Sequence, residues 1–227
     1  MSIVINSYGF FPNAIPSHIC DRIIKTGLSQ KNNPGTTGKI SDFNKIKNNP
    51  QLFKELIEKR DSNVGWLNDP WIYKSILPFV GKANEELQWN FQFEEAESAQ
   101  FTTYYPGQFY SWHQDSLRSL PKTRKRSLTL SLKDGGPTDT SESPDGHPSV
   151  FKIFRPLLND PSEYEGGQLQ FDCRNKEDPE DNKIETVAEN RQGSLIVFPS
   201  FVFHRVLPVT KGVRYSLVMW MKGDQWR

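Results

Sequence analysis

From about Phe91 the chain stops repeating at helical spacing and becomes a succession of short apolar runs punctuated by turn residues. The runs are AQFTTYY, QFYSWH, RSLTLSL, GGQLQF, GSLIVF, FVFHRV and VRYSLVMWM, and Pro106-Gly107, Gly166-Gly167 and Lys211-Gly212 separate several of them. Segments of this length, rich in β-branched and aromatic residues and bounded by Gly or Pro, read as strands. Roughly eight such strands after a helical layer predict an antiparallel sandwich or small barrel backed by helices, an α+β chain that is mainly β. A chain of 227 residues suits one sizeable core. We therefore expect a single domain over 1–227, with a helical support region over 1–90 and the β core over 91–227.

The support region carries three helical patterns. In PSHICDRIIKTG, Ser17 is placed to cap, Ile19, Ile23 and Ile24 make a stripe, and Gly27 is placed to end the helix. In NPQLFKELIEKR, Asn49 can cap, Pro50 suits the first turn, and Leu52, Phe53, Leu56 and Ile57 make an apolar face. NDPWIYKSILPFVGKANEEL repeats the Asp-Pro start, carries Trp71, Ile72, Ile76, Val80 and Leu87 at helical spacing, and should kink at Pro78. Lys31–Asn49 is polar and reads as a loop. Lys133–Glu165 is an insertion between strands whose first half, rich in Gly, Pro, Ser and Asp, reads as a long surface loop. Around Pro137 to Pro148 it is either a disordered insertion or a lid over a site.

Net charge is +1, so no whole-molecule field favours nucleic acid or a membrane surface. Five basic residues lie between Arg118 and Arg126; the bland reading is a solvated loop, the sharper one a lid facing an acidic substrate or a nucleic acid. Nucleic acid is disfavoured, because no RNA-binding signature with interleaved aromatics is present. Cys20 and Cys173 form no metal or disulfide framework and read as reduced thiols. The N-terminal segment resembles no signal peptide and no run reaches transmembrane length, so a soluble, cytoplasmic protein without a membrane partner is expected. The oligomeric state leaves no mark in the sequence.

The chemistry concentrates in FYSWHQDS. His113 and Asp115 are one residue apart, so on an extended strand end both project to the same side, with Gln114 turned away. An imidazole nitrogen and a carboxylate oxygen can then take adjacent positions on a metal. Of the other histidines, His18 lies in a helix and His147 in the polar insertion, which leaves His204, between FVF and RVLP on a strand, as third ligand. Two histidines and a carboxylate form the facial triad of non-haem iron oxygenases, with three positions left open. A lone HxD is usually a surface pair or a satisfied core histidine; Arg214 shifts the balance. It stands ten positions beyond His204 at the start of an apolar strand, where burial is costly without an anionic partner. Its planar fork suits a carboxylate, such as one end of a dicarboxylic co-substrate.

From about Gln100 to Trp220 the sequence resembles the 2-oxoglutarate- and Fe(II)-dependent dioxygenases of the prolyl 4-hydroxylase type, on the side of the bacterial and viral hydroxylases. YYPGQFYSWHQD, RSLTLSL, YEGGQLQF and GSLIVFPSFVFHRVLPVTKGVR carry the likeness. It implies a double-stranded β-helix (jelly roll) with Fe(II), 2-oxoglutarate and O2, and ascorbate as a further candidate. Implied iron ligands are His113, Asp115 and His204. Arg214 is the implied anchor of the distal carboxylate of 2-oxoglutarate, with Tyr104 or its neighbour Tyr105 assisting. Tyr110, Arg126 and Trp220 match positions that face a peptide. The implied reaction is hydroxylation of an unactivated C–H, a prolyl residue of a peptide or protein, with release of succinate and CO2. The alternatives are the same chemistry on a small molecule or nucleobase, and a catalytically silent metal-binding jelly roll.

Overall fold

The computed structural model describes residues 7–37, 45–46, 48–115, 149–153, 158–174, 183–187 and 191–222. Three helices, α1 (Ser17–Ser29), α2 (Pro50–Lys59) and α3 (Pro70–Glu86), accompany fifteen strands among these residues. The strands are β1 (Gly9–Phe11), β2 (Asn33–Pro34), β3 (Arg60–Asp61), β4 (Asn63–Leu67), β5 (Glu95–Ala96), β6 (Ala99–Tyr104), β7 (Phe109–His113) and β8 (Ser149–Ile153). They continue with β9 (Tyr164–Gly166), β10 (Leu169–Asp172), β11 (Ile184–Thr186), β12 (Leu195–Pro199), β13 (His204–Val206), β14 (Val209–Gly212) and β15 (Arg214–Lys222). The larger sheet runs β1-β12-β8-β15-β6-β4-β2, with β5 also on β15; the smaller runs β11-β10-β13-β7-β3; β14 and β9 form a ribbon. This is a jelly roll with helices on one face of the larger sheet.

Alternation along the central strands explains the layering. In β15, Leu217, Met219 and Met221 join Ile23 of α1 and Ile72, Ile76 and Val80 of α3 in the main core, while Arg214, Ser216, Val218 and Trp220 point the other way. In β6, Phe101 faces the helices, and Gln100, Thr102 and Tyr104 stand opposite Val218, Ser216 and Arg214 on the inner face. β12 is buried on both faces: Leu195 and Val197 pack toward the helices, Ile196 and Phe198 toward Leu169 and Phe171 of β10. That double burial accounts for its unbroken apolar run.

Several local expectations change. Ser17 is the first helical residue and makes no cap; Pro16 stands at the N-cap, and its carbonyl accepts from Ile19 and Cys20. Gly27 does not end α1 but lies buried inside it, where an added Cβ would sit 2.3 Å from Cγ of Phe101. Asn49 does cap α2, accepting from the Gln51 and Leu52 amides. Phe53 is exposed, however, and in α2 only Leu56 is fully buried, because this helix lies outside the main core. α3 runs through Pro78 to Glu86, with Trp71 and Leu87 half-buried. The support region also supplies four strands, β1 to β4, and the Lys31–Asn49 stretch contains β2. Short pieces such as Arg60–Asp61 show no alternation of their own. The Lys133–Glu165 insertion contains β8, a 3-10 turn at Pro161–Glu163 and the start of β9. RSLTLSL, the basic stretch from Arg118, and Pro137 to Pro148 fall outside the described residues. Cys20 and Cys173 are free thiols, and no helix among the described residues is long and apolar enough to cross a membrane.

Candidate metal centre

His113 ends β7 and His204 begins β13, and the two are paired directly across the antiparallel ladder. Residues placed opposite each other share a face. Their rings stand 4.0 Å apart, and both Nε2 atoms lie 3.7 Å from the Asp115 carboxylate. The three ligand atoms all fall within 4.8 Å of one another. With metal–ligand bonds of roughly 2 Å, one ion can touch all three, so the donor set fits the iron that the triad calls for.

Backbone acceptors aim the ligands. Nδ1 of His113 lies 2.8 Å from the Ser111 carbonyl and Nδ1 of His204 2.8 Å from that of Val202. A proton on each Nδ1, donated to those carbonyls, makes each Nε2, 3.7 Å from the Asp115 carboxylate, the unprotonated nitrogen that can ligate a metal. The Asp115 amide donates to the Ser200 carbonyl at 2.9 Å, and the Gln114 side chain donates to the Phe201 carbonyl. The residue between the ligands thus points away from them and ties its segment to the approach of His204. Phe198 packs edge-on against the His204 ring, with centroids 4.8 Å apart.

At the start of β15, Arg214 is 0% exposed. It is paired in register with Tyr104, also buried, and its guanidinium carbon lies 5.9 Å from that ring. Tyr105 is 47% exposed, so of the two tyrosines Tyr104 shares the arginine's face. Gly167 makes the passage for the arginine: at φ +69° it adopts a left-handed backbone, and a Cβ there would come within 2.7 Å of Cδ of Arg214. One rung along β15, Ser216 is fully buried on the same face, and its hydroxyl has no hydrogen-bond partner among the described residues. The sequence reading missed it.

Tyr110 stacks on His113 with centroids 3.5 Å apart. Simple alternation would set these two on opposite faces. β13 advances two residues from His204 to Val206 while β7 retreats three from His113 to Tyr110, and the extra residue is a bulge that brings both rings inward. Over Tyr110, at 4.7 Å, lies a second buried guanidinium that the sequence reading also missed, Arg60 of β3, 6% exposed. It donates to Ser62 Oγ at 2.9 Å, the Thr36 carbonyl at 3.1 Å and Gln100 Oε1 at 2.7 Å, all neutral acceptors. Trp220 is half-buried on the inner face of β15, its ring 6.3 Å from the 45% exposed Trp66. Arg126 lies outside the described residues.

Comparison with known proteins agrees with this architecture. Residues 99–222, more than half of the chain, match the family model of the 2OG-Fe(II) oxygenase superfamily. Curated relatives include a PKHD-type hydroxylase of Synechococcus sp. (strain JA-2-3B'a(2-13)), 35% identical over 70 residues, covering 31% of this chain and 28% of the relative. Another, from Xylella fastidiosa (strain M23), is 39% identical over 67 residues, covering 30% and 26%. The chain thus spans about a quarter of the length of the curated relatives it matches. Among solved structures, a viral collagen prolyl hydroxylase from Paramecium Bursaria Chlorella virus-1 aligns with a TM-score of 0.60 at 16% identity, over 98% of this chain and 100% of that one. A Pseudomonas putida prolyl-4-hydroxylase aligns with a TM-score of 0.57 at 17% identity, over 97% and 94%. At these identities the structural likeness is one of fold, and it is the family match together with the His113–Asp115–His204 cluster that identifies the chain as a member of the 2OG-Fe(II) oxygenase superfamily.

Proposed function

We propose that this chain is an Fe(II)- and 2-oxoglutarate-dependent dioxygenase that hydroxylates a prolyl residue of a peptide or protein, releasing succinate and CO2. The observation that carries the reading is the cross-strand His113–His204 pair closed by Asp115, together with the fully buried Arg214 of β15. His113, Asp115 and His204 would hold the iron. When bound, iron with 2-oxoglutarate and oxygen supplies the oxidising power that no amino-acid side chain has. The chain's own residues orient and shield. Arg214 would take the distal carboxylate of 2-oxoglutarate through its planar fork, with the Tyr104 and Ser216 hydroxyls on the same face completing the cradle. The buried surroundings keep water away from that ion pair and strengthen it.

Support for a peptide substrate comes from the wall beside His113. Arg60 presents a buried positive charge whose acceptors are neutral, next to the Tyr110 hydroxyl-bearing ring, and the two are suited to hold a peptide carbonyl. Trp220 and Trp66 offer aromatic surface of the kind that Pro-rich chains dock on. Similar solved structures include a prolyl hydroxylase from Trichoplax adhaerens in complex with a hypoxia inducible factor oxygen degradation domain peptide fragment, aligned with a TM-score of 0.57 at 16% identity. The test is a panel of proline-containing peptides, free amino acids and alkylated bases. Proline peptides should raise succinate formation above the peptide-free rate and gain one oxygen by mass, and Arg60→Ala should reduce that stimulation more than the peptide-free rate. Stimulation by free amino acids or bases, with none by any proline peptide, would replace the substrate while leaving the chemistry.

A further inference from the structure

We infer that Asn159 is a positioning residue for Arg214, fixing the backbone on both sides of the arginine and through it the affinity for 2-oxoglutarate. The inference rests on the reading that Arg214 anchors the distal carboxylate.

β15 is laddered to β8 only from Met219 to Lys222. Its first rungs, Arg214 to Val218, pair with β6 on one side, and among the described residues no strand is laddered to their opposite edge. Buried edge groups require partners. Leu158 and Asn159, returning toward β9, provide them. The Leu158 amide donates to the Tyr215 carbonyl at 3.3 Å, and the Tyr215 amide donates to Asn159 Oδ1 at 3.0 Å. Asn159 Nδ2 in turn donates to the Val213 carbonyl at 2.9 Å. One buried amide therefore closes both bonds around residues 213–215, with Arg214 in the middle. The clamp is itself held, since Gln192 Nε2 donates to the Leu158 carbonyl at 2.7 Å.

Only an amide offers a donor and an acceptor in one short fork. Arg214 has little room to compensate for a backbone shift, because its side chain is wholly buried and runs over Gly167. Two-pronged binding of a carboxylate depends on geometry, and losing the worth of about one neutral hydrogen bond costs roughly tenfold in affinity. The arrangement thus couples a residue far along the chain from the triad to the geometry of the co-substrate anchor.

The molecule contains its own control. Asn84, at the end of α3, makes the same pair of bonds with Phe91, donating to its carbonyl and accepting from its amide, each at 2.9 Å. Binding of 2-oxoglutarate to the Fe(II)-loaded full chain should be measured by calorimetry with oxygen excluded, beside steady-state kinetics and thermal melting. Asn159→Ala should raise Kd and KM for 2-oxoglutarate about tenfold, leaving metal stoichiometry and kcat at saturating co-substrate near the parent. Asn159→Ser, which keeps one acceptor, should fall between the two and decides the matter if the alanine variant does not fold. Asn84→Ala should lower the melting temperature comparably with Kd unchanged. A Kd within twofold of the parent for the Asn159 variants, or an equal rise for Asn84→Ala, overturns the inference. Arg214→Ala separates the two failures: if it weakens binding while Asn159 variants do not, only the positioning role falls; if it binds 2-oxoglutarate like the parent, the anchor reading falls and the positioning role with it.

Discussion

Arg214 is the side chain whose replacement isolates the co-substrate from the metal, since it lies outside the triad and is fully buried. Arg214→Ala should raise the 2-oxoglutarate requirement about ten- to a hundredfold, the equivalent of one charged hydrogen-bonding contact, while anaerobic Fe(II) titration still gives one site. Arg214→Lys should lose less, because charge survives without the fork. An unchanged requirement in the alanine variant would place the anchor elsewhere. Cys20 allows a prediction of pH dependence. Burial first, then the charge of Asp21, pushes its thiol up to about 12 from 9.0. A folded pKa above the unfolded one gives stability that is complete below about pH 9 and lost as pH rises toward about 12. Urea midpoints should therefore fall across that window, and less so in Cys20→Ala; the same slope in both proteins would contradict the assignment. At neutral pH, half-buried Cys173 should react with a thiol reagent before Cys20 does. At this scale much of the site was legible: HxD, His204 and Arg214 stood out because spacing and a charge in an apolar strand are sequence properties. Arg60 and Ser216 did not, since their significance lies in neighbours from other strands.

At the scale of elements, the bulge in β7 decides which side chain packs against His113. It turns Tyr110 onto His113 against strict alternation, and nothing in FYSWH announces it because the pairing partner sets the register. The same cause hid β3: two residues carry no period, and only pairing of Arg60 with Tyr110 makes them a strand. Gly27 shows the converse error. A glycine near a helix end reads as a stop, yet here it admits the Phe101 ring so that α1 can lie on the larger sheet. Gly27→Ala should accordingly destabilise the fold by about 1–3 kcal/mol through overpacking, read from the urea midpoint at constant slope. Equal or higher stability would mean that α1 can move away without cost. Asn49, by contrast, was readable, since a cap and the following Pro50 are local chemistry.

For the molecule as a whole, the division of labour between the two faces of the larger sheet matters most. Its outer face is apolar and carries the helices; its inner face bears Gln100, Thr102, Tyr104, Arg214 and Ser216, a polar lining that a purely structural sandwich would not need. A mainly β sandwich or barrel with a helical layer was foreseeable from run lengths and turn residues, and the jelly roll from the family resemblance. The strands contributed by the first ninety residues and by the long insertion were not, because their pairing is distant in sequence. The central claim is that this lining and the triad serve 2-oxoglutarate-dependent oxidation. It is tested most directly by measuring succinate formed per oxygen consumed with Fe(II) and 2-oxoglutarate, in the parent and in His204→Ala. The expected result is succinate and oxygen in equal amounts in the parent, dependent on added Fe(II), and neither product formation nor oxygen use above background in His204→Ala, which leaves a two-ligand site. Succinate formation by His204→Ala at the parent rate, or none by the iron-loaded parent with any substrate class tested, would contradict it.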